Sequence, residues 1–140
     1  MEIVANAVQT VTAGNSVIFT DTAVSGCASI VHRAGSGLVK LRGLSNGQCR
    51  ARFRASFGAN IALPADGTAG PISLVLTIDG EPIASTKMIV TPTAVSAYFN
   101  IATDVHIDVP IGCCATLGVR NTDGPTIEVQ NASLIVERVA

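Results

Sequence analysis

The 140-residue chain is predicted to be all-β, an antiparallel sandwich or barrel. Three observations predict it. Apolar and polar residues alternate at a period of two, the period at which side chains leave opposite faces of a strand. Gly, Asn, Asp and Pro interrupt that alternation at regular intervals, as turns do in sandwiches and barrels. No segment of helical period is long enough to compete.

The elements follow in order along the chain. Ile3 to Val11 is the first candidate strand, and the turn "AGNS" leads to a second at "VIFT", Val17 to Thr20. "ASIVHR", "AGSG" and "LVKLRG" read as a hairpin with a Gly-rich loop, followed by the turn "SNGQ". "CRARFRASFGANIAL" is a long strand with a bend expected at Gly58, because glycine inside a strand marks a bulge or a close approach. After the loop "PADGTAGP", "ISLVLTI" and "PIASTKMIV" flank "DGE", the strongest hairpin signal in the chain. "VSAYFNIA", "DVHIDVPI", "ATLGVRN", the turn "NTDGP" and "TIEVQNASLIVERV" complete the chain. The result is a single domain, residues 1–140, of about ten strands. Its expected core holds Phe53, Phe57, Leu74, Leu76, Ile78, Phe99, Leu117, Val119, Leu134 and Val136. The C-terminal "LIVERVA" is expected to be tied into a sheet.

Composition narrows the function classes. Hydrophobic residues make up 48% of the chain and charged residues 14%, against roughly 25% charged in an average soluble domain. So little charge predicts that the chain hides further surface by oligomerising. The net charge of −1 gives no global attraction to nucleic acid or to an anionic membrane. No apolar run has the length of a membrane span. "MEIVANAVQTV" lacks the basic start and apolar stretch of a signal peptide, which predicts synthesis and retention in the cytoplasm. Cys27, Cys49, Cys113 and Cys114 match no zinc or redox spacing, and are expected to be reduced packing residues, with a Cys27–Cys49 disulfide as the open alternative.

The run "RFRASFGANIAL", "LVLTIDGEPIAS", "VHIDVPIGCCATLGVRN" and "ASLIVERV" resembles the C1q and tumour-necrosis-factor type jelly roll over roughly Cys49 to Val139. In that family a long inner strand precedes a hairpin with "NG" or "DG", a later turn opens a strand of the form "xVxLxV", and the last strand closes beside the first. One departure is Cys113 after Gly112, where the family usually has Asp. The resemblance implies a jelly roll assembled as a homotrimer. Modules of this kind recur in spore-surface proteins and in bacteriophage virions, as capsid decoration proteins or fibre heads.

Several residues then invite a role. Arg50, Arg52 and Arg54 share one strand face, and Lys40 with Arg42 is expected to extend them into a basic patch. The patch either docks an acidic partner such as a capsid lattice, or pairs internally with Glu128, Glu137 or Asp108. Nucleic acid is disfavoured because no exposed aromatics interleave the arginines. Asp104, His106 and Asp108 share a face, but no nucleophile motif accompanies them, and two carboxylates are too few for calcium. His32 or His106 with Cys27 or Cys49 has no metal-ligand spacing. Tyr98, Phe99, Leu117 and Val119 are the candidate trimer contacts, and Tyr98 is alternatively a sugar contact. "NAS" at Asn131 is a glycosylation sequon only for an exported chain.

The expected function is therefore structural and non-enzymatic, without cofactor or metal. The leading expectation is a trimeric decoration protein bound to a major capsid protein on the virion surface. The alternative is a receptor- or glycan-binding fibre head acting through the loops "PADGTAGP" and "NTDGP".

Overall fold

The "CRARFRASF" alternation becomes part of one 13-residue strand, β6 (Arg50–Ala62), and its burial follows the parity of the sequence. Ala51, Phe53, Ala55, Phe57, Ala59 and Ile61 are buried, while the intervening side chains leave the other face. The computed structural model describes residues 1–44, 49–112, 114–122 and 124–140. The predicted turn "SNGQ", Cys113 and the Asp123 position of "NTDGP" lie outside the described residues.

Two antiparallel sheets stack face to face. In the first, β6 lies between β10 (Phe99–Pro110) and β12 (Ile127–Arg138), and β1 (Glu2–Ala5) and β3 (Asp21–Val24) extend it in the order β10-β6-β12-β1-β3. Strand β2 (Gln9–Val11) also pairs with β12. In the second, β4 (Ile30–His32), β5 (Leu38–Arg42), β11 (Cys114–Arg120), β7 (Ile72–Ile78) and β8 (Glu81–Pro82) follow in that spatial order, and β9 (Met88–Val90) pairs with β7. The inward sets of both sheets form one core that includes Phe19, Leu41, Phe53, Phe57, Leu74, Leu76 and Leu117. Phe19 meets Phe57 edge to face at 6.4 Å, a favoured aromatic geometry.

Among the described residues, twelve strands replace the ten or so expected. The predicted strand Ile3 to Val11 is broken into β1 and β2 by the exposed residues Asn6, Ala7 and Val8. "VIFT" is no strand, although its alternation buries Val17 and Phe19. Its amides bond to four separate partners: Val17 to the Val119 carbonyl at 2.8 Å, Ile18 to Gln9 Oε1 at 2.9 Å, Phe19 to the Ser36 carbonyl at 3.2 Å and Thr20 to the Val4 carbonyl at 3.1 Å. "PIASTKMIV" divides into β8, a short 3-10 turn (Ala84–Thr86) and β9. The buried Thr86 hydroxyl holds that turn, donating to the Ile83 carbonyl at 2.7 Å and accepting from the Leu76 amide at 3.0 Å. The two segments around "YFNIATDVHIDVP" fuse into β10.

The "DG" hairpin forms as read. Asp79 and Gly80 have φ of 52° and 84°, the left-handed pair that a two-residue hairpin turn needs. The irregularity expected at Gly58 lies in the neighbouring strand instead. β6 runs on through Gly58, while β12 shifts register between Gln130 and Ser133, with Asn131 at φ 54°. Phe99, expected in the core, is 41% exposed because it is the first residue of β10, and Ile78 is only half-buried. The C-terminus is tied in as expected: β12 reaches Arg138, and the Val139 amide bonds to the Arg52 carbonyl at 2.8 Å.

Candidate functional site

The outward face of the first sheet collects most of the charge that the sequence concentrates. Antiparallel pairing of β6 with β10 sets Arg52 opposite Asp108, Arg54 opposite His106 and Ser56 opposite Asp104. The basic row and the acidic row are therefore two sides of one ladder. Arg52 grips Asp108 with both arms of its fork, Nε to Oδ1 at 2.7 Å and Nη2 to Oδ2 at 3.0 Å. Arg50 Nε reaches the same carboxylate at 3.1 Å. Arg54 binds Asp104 through Nε at 3.0 Å and through Nη2, and Ser56 donates its hydroxyl to Asp104 Oδ1 at 3.1 Å. Glu137 on β12 stands 3.9 Å from Arg54 Nη1.

The electrostatics follow from this geometry. The hydrogen bond from Arg54 holds the Asp104 carboxyl below its ordinary range against the opposing effect of desolvation, and Arg52 does the same for Asp108. Hydrogen bonding to the two carboxylates raises Arg52 and Arg54 in turn. Exposed pairs of this kind add little stability singly. Their larger effect is to neutralise the row, so that the face can be covered without stranding charge. Asp104 and Asp108 are committed to arginines and do not form an acid–base set with His106. Glu128, expected as an arginine partner, instead accepts the Tyr98 hydroxyl at 2.9 Å. Partial burial, with Glu128 adding to it, pushes the Tyr98 phenol above its ordinary value.

Beside the ladder lies a shallow groove of about 560 Å³ across β10, β6 and β12. Ser56, Gly58, Ala102 and Ser133 line it with small side chains, and Ile135 stands at its margin, 43% exposed. A Cβ added at Gly58 would meet only the Ile101 carbonyl, at 3.7 Å, so packing within the protomer does not require a glycine there. A second depression, between Val24, Glu2 and Glu137, shares Ile135. Sequence reasoning missed this groove and the role of Asp104. The signal for the groove was the parity that Ser56 and Gly58 share with the arginines.

Other predicted site residues fall elsewhere. Lys40 and Arg42 are on β5, in the opposite sheet, so the five basic residues do not make one patch. Leu117 and Val119 are 0% exposed in the protomer's own core and cannot be trimer contacts. Tyr98 and Phe99 are exposed, at the end of β10 far from the arginine ladder. Cys27, Cys49 and Cys114 are free and exposed, not buried, and the Cys27–Cys49 disulfide is not formed. The Ser29 backbone amide lowers the Cys27 thiol below its ordinary value. Among the described residues, no three His, Cys, Asp or Glu side chains converge as metal ligands. His32 instead bonds through Nε2 with the Ser36 carbonyl at 3.0 Å and packs edge-on against Phe19.

No protein-family model and no curated protein matches the sequence. Solved structures do match the fold. The globular domain of the zebrafish complement 1qA protein superposes with a TM-score of 0.68 at 11% identity, over 99% of this chain and 95% of that one. The EclA C-terminal domain, a sugar-binding protein, gives 0.42 at 14% identity over 95% and 79%. A family 35 carbohydrate binding module from Clostridium thermocellum gives 0.36 at 11% over 92% and 98%. The last two superpose too loosely to bear on this chain. The first, with the strand order and the stacked sheets, establishes the C1q-like jelly-roll fold.

Proposed function

We propose that the chain is a non-enzymatic structural module that forms a homotrimer through the outward face of its first sheet. The observation that carries this reading is the uncovered groove around Gly58 and Ile135 beside a self-neutralised ion-pair ladder. Small side chains let another backbone approach closely, and Ile135 offers apolar area, worth roughly 25 cal/mol per Å² once buried. The ladder lowers the cost of covering the rest, because each arginine there already has a carboxylate. The scarcity of charge in the whole chain supports the same reading, since less surface is reserved for water.

On this reading the trimer decorates a larger protein lattice, and a virus capsid assembled in the host cytoplasm is the setting it fits best. Exposed free thiols support a reducing compartment. The rim that holds Arg50, Ile111 and Val139, all exposed and all at one end of the first sheet, is the surface assigned to the lattice.

Light scattering tests the assembly. The expected mass is three times the 14.3 kDa chain, falling to one chain in Ile135→Arg with an unchanged β spectrum. A wild-type monomer at working concentration would overturn it. Co-sedimentation with capsid particles tests the attachment: Val139→Asp should release the protein from particles and leave its trimer intact.

A further inference from the structure

We propose that a depression on the outward face of the second sheet is a weak binding site for a neutral polyhydroxylated ligand, a sugar residue. It lies on the sheet opposite the trimer face and is complete within one protomer, so it stands or falls independently of assembly. Its volume, about 460 Å³, is that of a small-ligand pocket.

The hairpin turn and the neighbouring strands fix its polar groups. Asp79 bonds to Thr116 twice, its backbone amide donating to the Thr116 carbonyl at 2.8 Å and its Oδ1 accepting the Thr116 amide at 2.9 Å. Oδ2 has no partner among the described residues and is left to accept from a ligand. Arg120 is clamped across the opening, with Nε on the Gly14 carbonyl at 3.2 Å and Nη1 on the Gly80 carbonyl at 3.2 Å. Its Nη2 remains to donate. The guanidinium is thus held in place before any ligand arrives, which removes part of the ordering cost of binding.

Gly118, on β11, lies against two of the lining residues, Leu38 and Thr77. A Cβ there would stand 3.2 Å from both Leu38 Cδ2 and Thr77 Oγ1, so a larger residue would crowd them. Leu38, 51% exposed, adds an aliphatic wall.

This combination selects the ligand class. One carboxylate and one guanidinium line the same space, so neither a phosphate nor a metal ion is favoured. A carboxylate acceptor, a guanidinium donor and the Thr116 hydroxyl match neighbouring sugar hydroxyls, each of which donates and accepts at once. The Leu38 wall suits the C–H face of the ring. No aromatic side chain lines the depression for stacking, so affinity per site is low, and several sites on one particle would raise it by avidity.

Amide NMR of the full chain, titrated separately with glucose, galactose, mannose and N-acetylglucosamine, tests the site, with sodium phosphate as the ionic control. At least one sugar should give saturable shifts at Leu38, Thr116, Gly118 and Arg120, and phosphate should give none there. Asp79→Asn keeps the Oδ1 acceptor and tolerates the φ of 52°. It should leave the unfolding midpoint in place and weaken sugar binding about tenfold. The assignment is overturned if no sugar gives saturable shifts, if the shifts map to residues 64–71, or if Asp79→Asn binds like the wild type.

Discussion

Arg54 and His106 stand opposite each other across β6 and β10, yet the guanidinium turns away from the imidazole and closes on Asp104, two residues back along β10. The pairing is diagonal where that of Arg52 with Asp108 is direct. The diagonal brings Ser56 into the same carboxylate and carries the ladder to the edge of the apolar groove, where Asp104 is also a lining residue.

Acid should therefore weaken the fold through this ladder. Asp104 and Asp108 have folded-state pKa values below the ordinary one, first because of the arginine hydrogen bonds. Their contribution is complete above the unfolded carboxylate value of about 3.9 and is lost as pH falls through the lower folded values. Urea midpoints followed from about pH 6 to about pH 2 should drop at the acid end. The drop should be smaller in Asp104→Asn, and an identical acid limb in that variant would remove the ladder from the explanation.

Leu117→Ala should cost about 2–5 kcal/mol in urea unfolding, because the side chain is fully buried and leaves a cavity. Ile135→Ser should change protomer stability by no more than about 0.5 kcal/mol while lowering the solution mass. The contrast separates core from interface, and equal losses would place Ile135 in the core.

Much of the fold was legible because a period of two is visible without knowing any partner. β6, the Asp79–Gly80 turn and the final strand all follow their sequence signals. The site was less legible, for a physical reason. Parity says which residues share a face of one strand, but not which strand lies alongside. Arg50, Arg52 and Arg54 were correctly set on one face, as were Asp104 and Asp108, but only the register makes them one ladder. Lys40 and Arg42 have the right parity on the wrong sheet. Leu117 and Val119 carry an apolar signal that the protomer's own core satisfies. "VIFT" alternates as a strand does, yet its amides go to unrelated neighbours.

Two glycines should respond oppositely to alanine. At Gly37 a Cβ would lie 2.6 Å from the Val17 carbonyl oxygen, a backbone atom that cannot swing aside. Gly37→Ala should lose about 1–3 kcal/mol in urea unfolding. At Gly58 the nearest atom is 3.7 Å away, so Gly58→Ala should keep protomer stability. Its effect should appear as weaker association in sedimentation, because the groove floor is raised.

Cys27 should be alkylated by iodoacetamide at lower pH than an unperturbed cysteine, since the Ser29 backbone amide favours its thiolate. Peptide mass spectrometry across a pH series reads this directly. A Cys27 profile matching a free cysteine peptide would count against that hydrogen bond.

The pairing of β1 with β12, which aligns Glu2 with Ile135 and Ala5 with Ala132, has a consequence for biosynthesis. One edge of β1 finds the nearby β3, but the other is covered only by the distant β12. During synthesis that second edge of β1 stays open until β12 has been made. Such distant closure makes for slow folding, and loss of β12 would strip both β1 and β6 of a neighbour at once.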